Sequence, residues 1–263
     1  MNVLITGASS GIGKCMAYYM ASLHHNLILV ARDTLELEKI KNEVKVNVKV
    51  ISLDLMDSKN VYKLYNLTKN DSIDILINNA GFGLFGEFYL TDLDRELEMI
   101  DLNIKAYHIL TKLFLIDFIK KDSGYILNVC SSAGFMAGPR LSTYYATKNY
   151  VTKLTMAINE ELRVMKSNVH ISALCPGPVN TNFNKVAHGA FSLKEASPEY
   201  VAKYGIDKMF KNKMIIVPKI SMKLFIFATR FTPYRLQLLI AYHVQYRKEF
   251  GKAKKNSSKN DVI

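Results

Sequence analysis

The most informative motif for the fold class of this chain is the glycine-rich stretch Thr6-Gly7-Ala8-Ser9-Ser10-Gly11-Ile12-Gly13. It follows the apolar run Val3-Leu4-Ile5 and leads into residues 14–23, where apolar side chains recur at helical spacing. Glycines in a strand-to-helix turn let the backbone approach a phosphate group, and the helix N-terminus presents free N–H groups. The stretch therefore predicts a phosphate cradle, although its G-x-x-x-G-x-G spacing also fits an ordinary tight turn.

The same alternation of short apolar runs and longer helical patterns continues along the chain. Further strand-like runs lie at 27–30, 48–51, 75–77, 125–129 and 170–174, and further helical patterns at 35–44, 93–118 and 145–165. Thr91-Asp92 is a cap signal for the longest of these helices. The alternation is typical of a parallel sheet with helices on both faces, so we predict an α/β fold with a doubly wound sheet of about seven strands.

Domain organisation follows from length and from the lack of internal repeats or linkers. With 263 residues, 49% of them apolar, the chain is predicted to form one domain over residues 1–250, followed by a flexible basic tail at 251–263. We expect residues 182–215 to act as a lid over the substrate. Residues 218–250 read as a basic amphipathic element, which could be a membrane-surface anchor, a flap near the substrate, or a helix packed in the core or an oligomer. No apolar stretch there reaches the about 18 residues that a membrane-spanning helix needs.

Charge and cysteine content limit the function classes. The net charge of +12 favours an anionic partner, which could be nucleic acid, acidic lipid or a phosphorylated cofactor. No nucleic-acid-binding motif occurs, so we predict no nucleic-acid partner. Cys15, Cys130 and Cys175 are widely spaced, and the histidines show no ligand spacing, so we expect neither disulfides nor a metal site. This pattern, and a start without a charged leader, predict a cytoplasmic protein.

Two residues at predicted strand ends bear on the choice of cofactor. Arg32 follows the second strand, where an arginine would pair with the 2′-phosphate of NADP, although Asp33 beside it could offset that preference. The pattern therefore favours NADP(H), with NAD(H) as the alternative. Asp54, after the third strand, could bond the adenine or could cap the next helix.

The stretch from Asn128 to Lys148 carries the candidate chemistry. Ser131 and Ser132 follow a predicted strand, and four residues separate Tyr144 from Lys148, which places both on one helical face. The ammonium group, together with the positive charge of an oxidised nicotinamide, is expected to lower the pKa of the phenol, so that Tyr144 can exchange a proton with a carbonyl or alcohol oxygen. A serine at a strand end could hold that oxygen. A single Tyr-x-x-x-Lys is also common on solvated helix faces.

Four motifs together, over about the first 185 residues, resemble the short-chain dehydrogenase/reductase family. They are Thr6 to Gly13 for the T-G-x-x-x-G-x-G turn, Asn78-Asn79-Ala80-Gly81 for N-N-A-G, Tyr144 to Lys148 for Y-x-x-x-K, and Pro176-Gly177 for the P-G turn. The resemblance implies a Rossmann-like fold and a hydride transfer between NAD(P)(H) and a carbonyl or alcohol. It also implies a homodimer or homotetramer that pairs through the helices at 93–118 and 145–165.

The resemblance also assigns residues to roles. The family's serine lies thirteen positions before its tyrosine, which selects Ser131 and Tyr144, and its helix asparagine corresponds to Asn103. The predicted catalytic residues are thus Ser131, Tyr144, Lys148 and Asn103. The predicted cofactor-binding residues, besides Tyr144 and Lys148, are Gly7, Ser9, Ser10, Gly11, Ile12, Gly13, Arg32, Asp54, Leu55, Asn79, Ala80, Gly81, Pro176, Gly177, Val179 and Thr181.

Apolar and mostly aromatic side chains around these motifs suggest an apolar substrate, such as a steroid or fatty-acyl ketone. The candidates are Phe82, Phe85, Phe135, Met136, Phe183, Phe191 and Tyr200. Such residues are also common in ordinary cores. The alternative function is a sensor or scaffold protein that binds NADP without turning it over.

Overall fold

A computed structural model describes residues 1–183 and 195–243. Within these residues, seven parallel strands form one sheet in the order β3-β2-β1-β4-β5-β6-β7. The strands are β1 Asn2–Thr6, β2 Asn26–Ala31, β3 Val48–Ser52, β4 Ile75–Asn78, β5 Gly124–Val129, β6 Val169–Leu174 and β7 Ile215–Ile216. The six strand-like runs each match a strand within two residues, and the doubly wound fold class is confirmed.

Helices cover both faces of the sheet. They are α1 Gly11–Ser22, α2 Thr34–Glu43, α3 Ser58–Thr68, α4 Leu93–Ile100, α5 Tyr107–Lys120, α6 Ser142–Val164, α7 Pro198–Met209, α8 Ile220–Thr229 and α9, which runs from 234 to the end of the described chain at 243. Asp92 caps α4 as the sequence predicts, because its carboxylate accepts a hydrogen bond from the Arg95 amide.

Alternating side chains of each strand serve two separate cores. Val3 and Ile5 of β1 pack on the side of α1, α2 and α7, whereas Leu4 packs on the side of α3, α5 and α6. Successive strand residues point to opposite faces, so a strand that is apolar throughout must be covered twice. This is the physical reason for the alternation of strands and helices in the sequence.

Three features depart from the sequence-based expectation. The predicted helix 93–118 is interrupted by a π-helical segment, Asp101–Ala106, between α4 and α5. Helix α3 and strand β7 are not among the predicted elements, although Val61, Leu64 and Thr68 give α3 a buried face, and β7 has only two residues. The helix predicted over 145–165 begins three residues earlier, because α6 starts at Ser142. It therefore contains the whole of the Tyr144 to Lys148 motif.

The predicted lid, 182–215, is corrected in its second half. Helix α7 is packed against α1 and buries Val201, Ile206 and Met209, and β7 extends the sheet beyond it. These residues belong to the core because their apolar side chains complete the face that α1 begins. Residues 184–194 lie outside the described chain, as do 244–250 of the amphipathic element, the tail 251–263 and Phe191.

Candidate active site

The carboxyl ends of the parallel strands meet along one edge of the sheet, where the strand order turns from β1 to β4. This switch point is where open α/β sheets bind their ligands. A cavity of about 1180 Å³ lies here. Of the predicted site residues it is lined by Gly7, Ser9, Ser10, Gly11, Ile12, Arg32, Asp54, Leu55, Asn79, Ala80, Gly81, Ser131, Tyr144, Lys148, Pro176, Gly177, Val179 and Thr181. Gly13 and Asn103 lie just outside its wall.

The glycine turn is built so tightly that side chains are excluded from it. A Cβ on Gly13 would lie 2.3 Å from both the Gly7 carbonyl oxygen and Asn79 Nδ2, and Gly7 itself has a φ of +64°. Asn79 closes the turn, since its Nδ2 donates to the carbonyl oxygens of Thr6 and Gly7 at 3.0 Å each. Gly13 and Asn79 therefore shape the cradle from behind.

The N-terminus of α1 opens toward the cavity from this turn. Ser10 occupies the cap position without a side-chain hydrogen bond to the first amides of α1, and Ser9, Gly11 and Ile12 line the same wall. Unsatisfied amides and the helix dipole suit a phosphate group here. The glycine cradle and the open helix end fit the pyrophosphate of a dinucleotide.

Arg32 stands exposed at the far end of the cavity. Its guanidinium lies 3.7 Å from an Asp54 carboxylate oxygen, and 70% of its side chain is accessible to solvent. Asp33 is the N-cap of α2, where its carboxylate accepts from the Glu36 amide. The α3 cap is Asp57, not Asp54, so capping of that helix is not the role of Asp54. Asp54 instead accepts from the Met56 amide and stays beside Arg32.

Tyr144 and Lys148 lie on the buried face of α6, one turn apart. The ammonium nitrogen of Lys148 donates to the Val129 carbonyl oxygen at 3.0 Å and lies 5.9 Å from the centroid of the Tyr144 ring. Ser131, in extended conformation just after β5, forms a hydrogen bond with the Tyr144 hydroxyl. Serine, tyrosine and lysine thus come together at one wall of the cavity, as the sequence predicts.

The pKa of Tyr144 differs from the expectation. Burial raises the pKa of Tyr144 above its ordinary value, and the hydrogen bond from Ser131 offsets only part of that rise. Burial also lowers the pKa of Lys148, whose ammonium group bonds to a backbone carbonyl. Lys148 therefore does not lower the pKa of Tyr144 as expected, and the residue is a neutral phenol at neutral pH, which is the form that donates a proton.

Asn103 sits behind this wall in the π-helical segment and is fully buried. Its amide group is bonded to the Phe82 backbone, with Nδ2 to the carbonyl oxygen at 2.9 Å and Oδ1 to the amide at 3.2 Å, and Nδ2 also reaches Thr147 Oγ1. A Cβ on Gly81 would lie 2.8 Å from Asn103 Oδ1 and 3.5 Å from Lys148 Nζ. Asn103 thus links the Phe82 backbone to Thr147 of α6. Because Gly81 has no side chain, the space next to Lys148 Nζ is not filled by one.

The turn after β6 closes the other side of the cavity. Ser132 donates its amide to the Pro176 carbonyl oxygen at 2.8 Å, which ties the turns after β5 and β6 together. A Cβ on Gly11 would lie 3.2 Å from the methyl carbon of Thr181, so the turn after β6 also reaches the glycine cradle. Pro176, Gly177, Val179 and Thr181 are thereby brought to the site that the motif predicts for them.

Apolar residues surround Tyr144. Of the predicted pocket residues, Phe82, Met136 and Phe183 line the cavity, and the Phe183 ring centroid lies 5.2 Å from that of Tyr144. Phe85 packs in the cluster behind them, Phe135 belongs to another cluster, and the Tyr200 hydroxyl bonds to the Pro218 carbonyl oxygen. Leu141, Tyr145, Met222, Phe225 and Ile240 also line the cavity. The last three come from α8 and α9, within the segment 218–250 for which a flap near the substrate was one of the predicted alternatives.

Three further observations concern the cysteines, metal sites and membrane-spanning helices. The three cysteines are free, and Cys130 and Cys175 are buried at the ends of β5 and β6. Among residues 1–183 and 195–243, no three histidine, cysteine or acidic side chains are grouped as a metal site would require. In the same ranges no helix is long and apolar enough to cross a membrane.

The buried tyrosines predict a loss of stability at alkaline pH. Burial raises the pKa of Tyr107 well above its ordinary value, as it does for Tyr144. Above about pH 10 the unfolded chain loses these protons while the folded chain keeps them, so the free energy of unfolding falls as pH rises. In urea titrations, Tyr107→Phe should show a shallower fall than the wild type. Tyr89→Phe, at a position 81% exposed, should show the wild-type slope, and equal slopes for all three proteins would contradict the prediction.

Comparison with known proteins places this site in a family. The family model described as short chain dehydrogenase matches residues 1–189. An uncharacterized short-chain type dehydrogenase/reductase of Sinorhizobium fredii is 34% identical over 194 residues, 73% of this chain and 75% of that protein. An uncharacterized oxidoreductase of Staphylococcus aureus is 27% identical over 223 residues, 84% of this chain and 95% of that protein.

Solved structures are similar as well. A short-chain dehydrogenase from Sphingobium yanoikuyae in complex with NADPH has a TM-score of 0.78 and 29% identity, covering 83% of this chain and 88% of that one. A bulky-bulky ketone specific alcohol dehydrogenase from Comamonas testosteroni has a TM-score of 0.74 and 28% identity, covering 83% and 86%. The motifs, the sheet order and these likenesses agree. The chain therefore belongs to the short-chain dehydrogenase family and is an NAD(P)-dependent oxidoreductase.

Proposed function

We propose that this enzyme reduces an apolar ketone to an alcohol with NADPH. The observation that carries the proposal is a buried, neutral Tyr144 phenol, hydrogen-bonded to Ser131, at the wall of a cavity whose other end is a glycine cradle. When bound, NADPH would supply the hydride to the carbonyl carbon and would be oxidised to NADP⁺. The proton for the carbonyl oxygen comes from the Tyr144 hydroxyl, so that one C–H bond and one O–H bond form as the C=O double bond becomes single.

Each remaining polar residue has a role in this scheme. The Ser131 hydroxyl holds the substrate oxygen, so negative charge that develops there meets a donor already in place. Lys148 lies between Val129 and the free space beside Gly81, where its ammonium group can bind ribose hydroxyls. Asn103 is a positioning residue, because it anchors Phe82 and the α6 residue Thr147. The turn from Pro176 to Thr181 lines the cavity and would hold the carboxamide end of the cofactor.

An apolar substrate is supported by the wall around Tyr144. Phe82, Met136, Leu141 and Phe183 are apolar, and the charged lining residue Arg95 lies over the Phe82 ring, 4.6 Å from its centroid. The Comamonas enzyme is, by its description, specific for bulky ketones, and the present cavity is large enough for one together with a dinucleotide. Screening ketones for the loss of NADPH absorbance tests this proposal. Turnover of small charged carbonyl compounds in preference to large apolar ketones would contradict it.

The preference for NADP is proposed from Arg32. Its guanidinium is exposed at the cavity end, Asp33 is engaged as a helix cap, and Asp54 is near enough to orient it. Charge-assisted hydrogen bonds to a phosphate are worth about 2 kcal/mol, so Arg32→Ala should weaken NADPH binding by roughly 30-fold. Binding of NADH, which lacks that phosphate, should change little. Fluorescence titration with both cofactors checks this, and an unchanged ratio of the two affinities would remove Arg32 from the preference.

Exposed apolar side chains on the helices around the π-helical segment bear on the assembly of subunits. We propose a homodimer or homotetramer paired through α4 to α6, where Leu93, Leu97, Ile116 and Tyr150 are exposed. Light scattering of the purified protein gives the subunit number. A cytoplasmic location is supported by the three free cysteines.

A further inference from the structure

Helices α8 and α9 and the turns around them form a surface of exposed apolar side chains, here called the C-terminal surface, residues 219–243. In α8 only Ile226 is buried. Leu224 is 64% exposed, Phe227 56%, Phe231 73% and Tyr234 84%, and further exposed apolar residues are Ile220, Leu236, Leu238, Leu239 and Ile240. Single exposed apolar residues are common, but a continuous group of this size marks a binding surface.

The charges on this surface all have one sign. No aspartate or glutamate occurs in the sequence between Asp207 and Glu249, whereas the same interval contains Lys208, Lys211, Lys213, Lys219, Lys223, Arg230 and Arg235. Cations interleaved with exposed aromatic and aliphatic side chains are complementary to a bilayer, because anionic headgroups bind the cations while the apolar groups enter the acyl boundary.

A second copy of the chain is a poorer occupant for this surface. In a twofold contact the same patch faces itself, so Lys223, Arg230 and Arg235 would be opposed by other cations with no acid in the patch to pair them. Apolar burial would then be opposed by charge repulsion. Anionic lipid satisfies both the charges and the apolar side chains.

The cavity extends to this surface. Phe225 and Ile240 both line the cavity and are exposed, at 43% and 51%. Met222 packs against the turn after β6, since a Cβ on Gly177 would lie 3.1 Å from its Sδ. One side of α8 and α9 therefore lines the route to Tyr144, while other side chains of the same helices face solvent.

We propose that the C-terminal surface docks on an anionic bilayer and that an apolar carbonyl compound passes from the lipid through the opening beside Phe225 and Ile240. The docking does not depend on catalysis. The passage of substrate rests on the proposed ketone reduction.

Vesicle sedimentation of the full chain, without cofactor or substrate, tests the docking. Vesicles of phosphatidylcholine and phosphatidylglycerol should bind the protein, and vesicles of phosphatidylcholine alone should bind it much less. Each basic residue near the surface contributes about fivefold, so Lys223→Gln, Arg230→Gln and Arg235→Gln combined should lower the affinity on the order of 100-fold. The matched control is Lys59→Gln, Lys63→Gln and Lys69→Gln on and just after α3, which should bind as the wild type. Equal losses for both triples, or no binding to anionic vesicles, would overturn the proposal.

The apolar contribution is tested with Leu224→Ser and Phe227→Ser, which keep every charge. Weaker vesicle binding is expected, whereas Leu35→Ser on α2, at a position 84% exposed, should bind as the wild type. If these α8 variants change the subunit number in light scattering and leave vesicle binding intact, the surface is an interface between copies and the proposal is wrong.

A third measurement separates this inference from the proposed function. With a long-chain ketone in anionic vesicles, the basic triple variant should lose most of its rate, while its rate with a small dissolved ketone should be unchanged. Tyr144→Phe should still sediment with the vesicles. Vesicle binding without ketone reduction would contradict only the proposed ketone reduction. Ketone reduction without vesicle binding would contradict only the proposed docking on a bilayer.

Discussion

Tyr144→Phe is expected to lower the rate of ketone reduction by about 100-fold to 10 000-fold, the range for removal of a positioned proton donor. The change removes one oxygen from a ring that stays packed against Phe183, so neither the fold nor the glycine cradle is disturbed. NADPH affinity should therefore stay close to that of the wild type. Stopped-flow rates and a fluorescence titration of NADPH check the two halves of this prediction.

The neighbouring tyrosine provides the matched control. Tyr145→Phe removes the same atom one residue later, from a ring that packs against Gly138, and should cost far less activity. If Tyr144→Phe and the wild type turn over equally, the phenol is not the proton donor. If neither protein oxidises NADPH with any ketone while both bind it, the sensor or scaffold function is the correct one.

The pH dependence of the reduction follows from the same phenol. Burial raises the pKa of Tyr144, so the protonated, donating form persists above the ordinary tyrosine pKa of about 10. With NADPH saturating, the rate of reduction should stay level up to that pH. A rate that already falls between neutral pH and pH 9, roughly one unit below the ordinary value, would contradict a raised pKa.

Ser131→Ala is the second large effect, a loss of about 100-fold to 1000-fold in the reduction rate at saturating ketone, as for other donors that stabilise a developing oxyanion. The hydroxyl bonds to Tyr144, and in the proposed reaction it would also hold the substrate oxygen. Its removal also takes away the interaction that lowers the Tyr144 pKa, so that pKa should rise further.

Ser132→Ala distinguishes this role from a general effect of the turn. Ser132 also lines the cavity, but it is its backbone amide that bonds to Pro176, and alanine keeps that amide. We expect the Ser132 variant to retain most of its activity. Equal losses for the two variants would show that the whole turn, and not the Ser131 hydroxyl, is what the reaction needs.

Much of the fold and of the site was predictable from local patterns. Strand β1, the glycine turn and α1 form one continuous stretch, so the steric demand at Gly7 and Gly13 is visible in the residues themselves. Tyr144 and Lys148 are four residues apart on a helix, a spacing that places them on one face wherever the helix lies. The apolar strands, buried on both faces, likewise reveal the doubly covered sheet.

Other properties depend on contacts between distant segments. The pKa of Tyr144 is set by burial among residues from several elements, and it moved opposite to the direction that Lys148 alone suggested. Asn103 acts through Phe82 and Thr147, which lie 21 and 44 residues away in the chain.

Local runs of residues were enough to predict the first six strands, the tight glycine turn, and the helical spacing that places Tyr144 and Lys148 on one face. Contacts between distant segments were needed to show that α7 is core, that α8 and α9 line the cavity, and that burial raises the pKa of Tyr144. Burial and cavity shape are sums over residues that are far apart in the chain, so no local pattern can specify them.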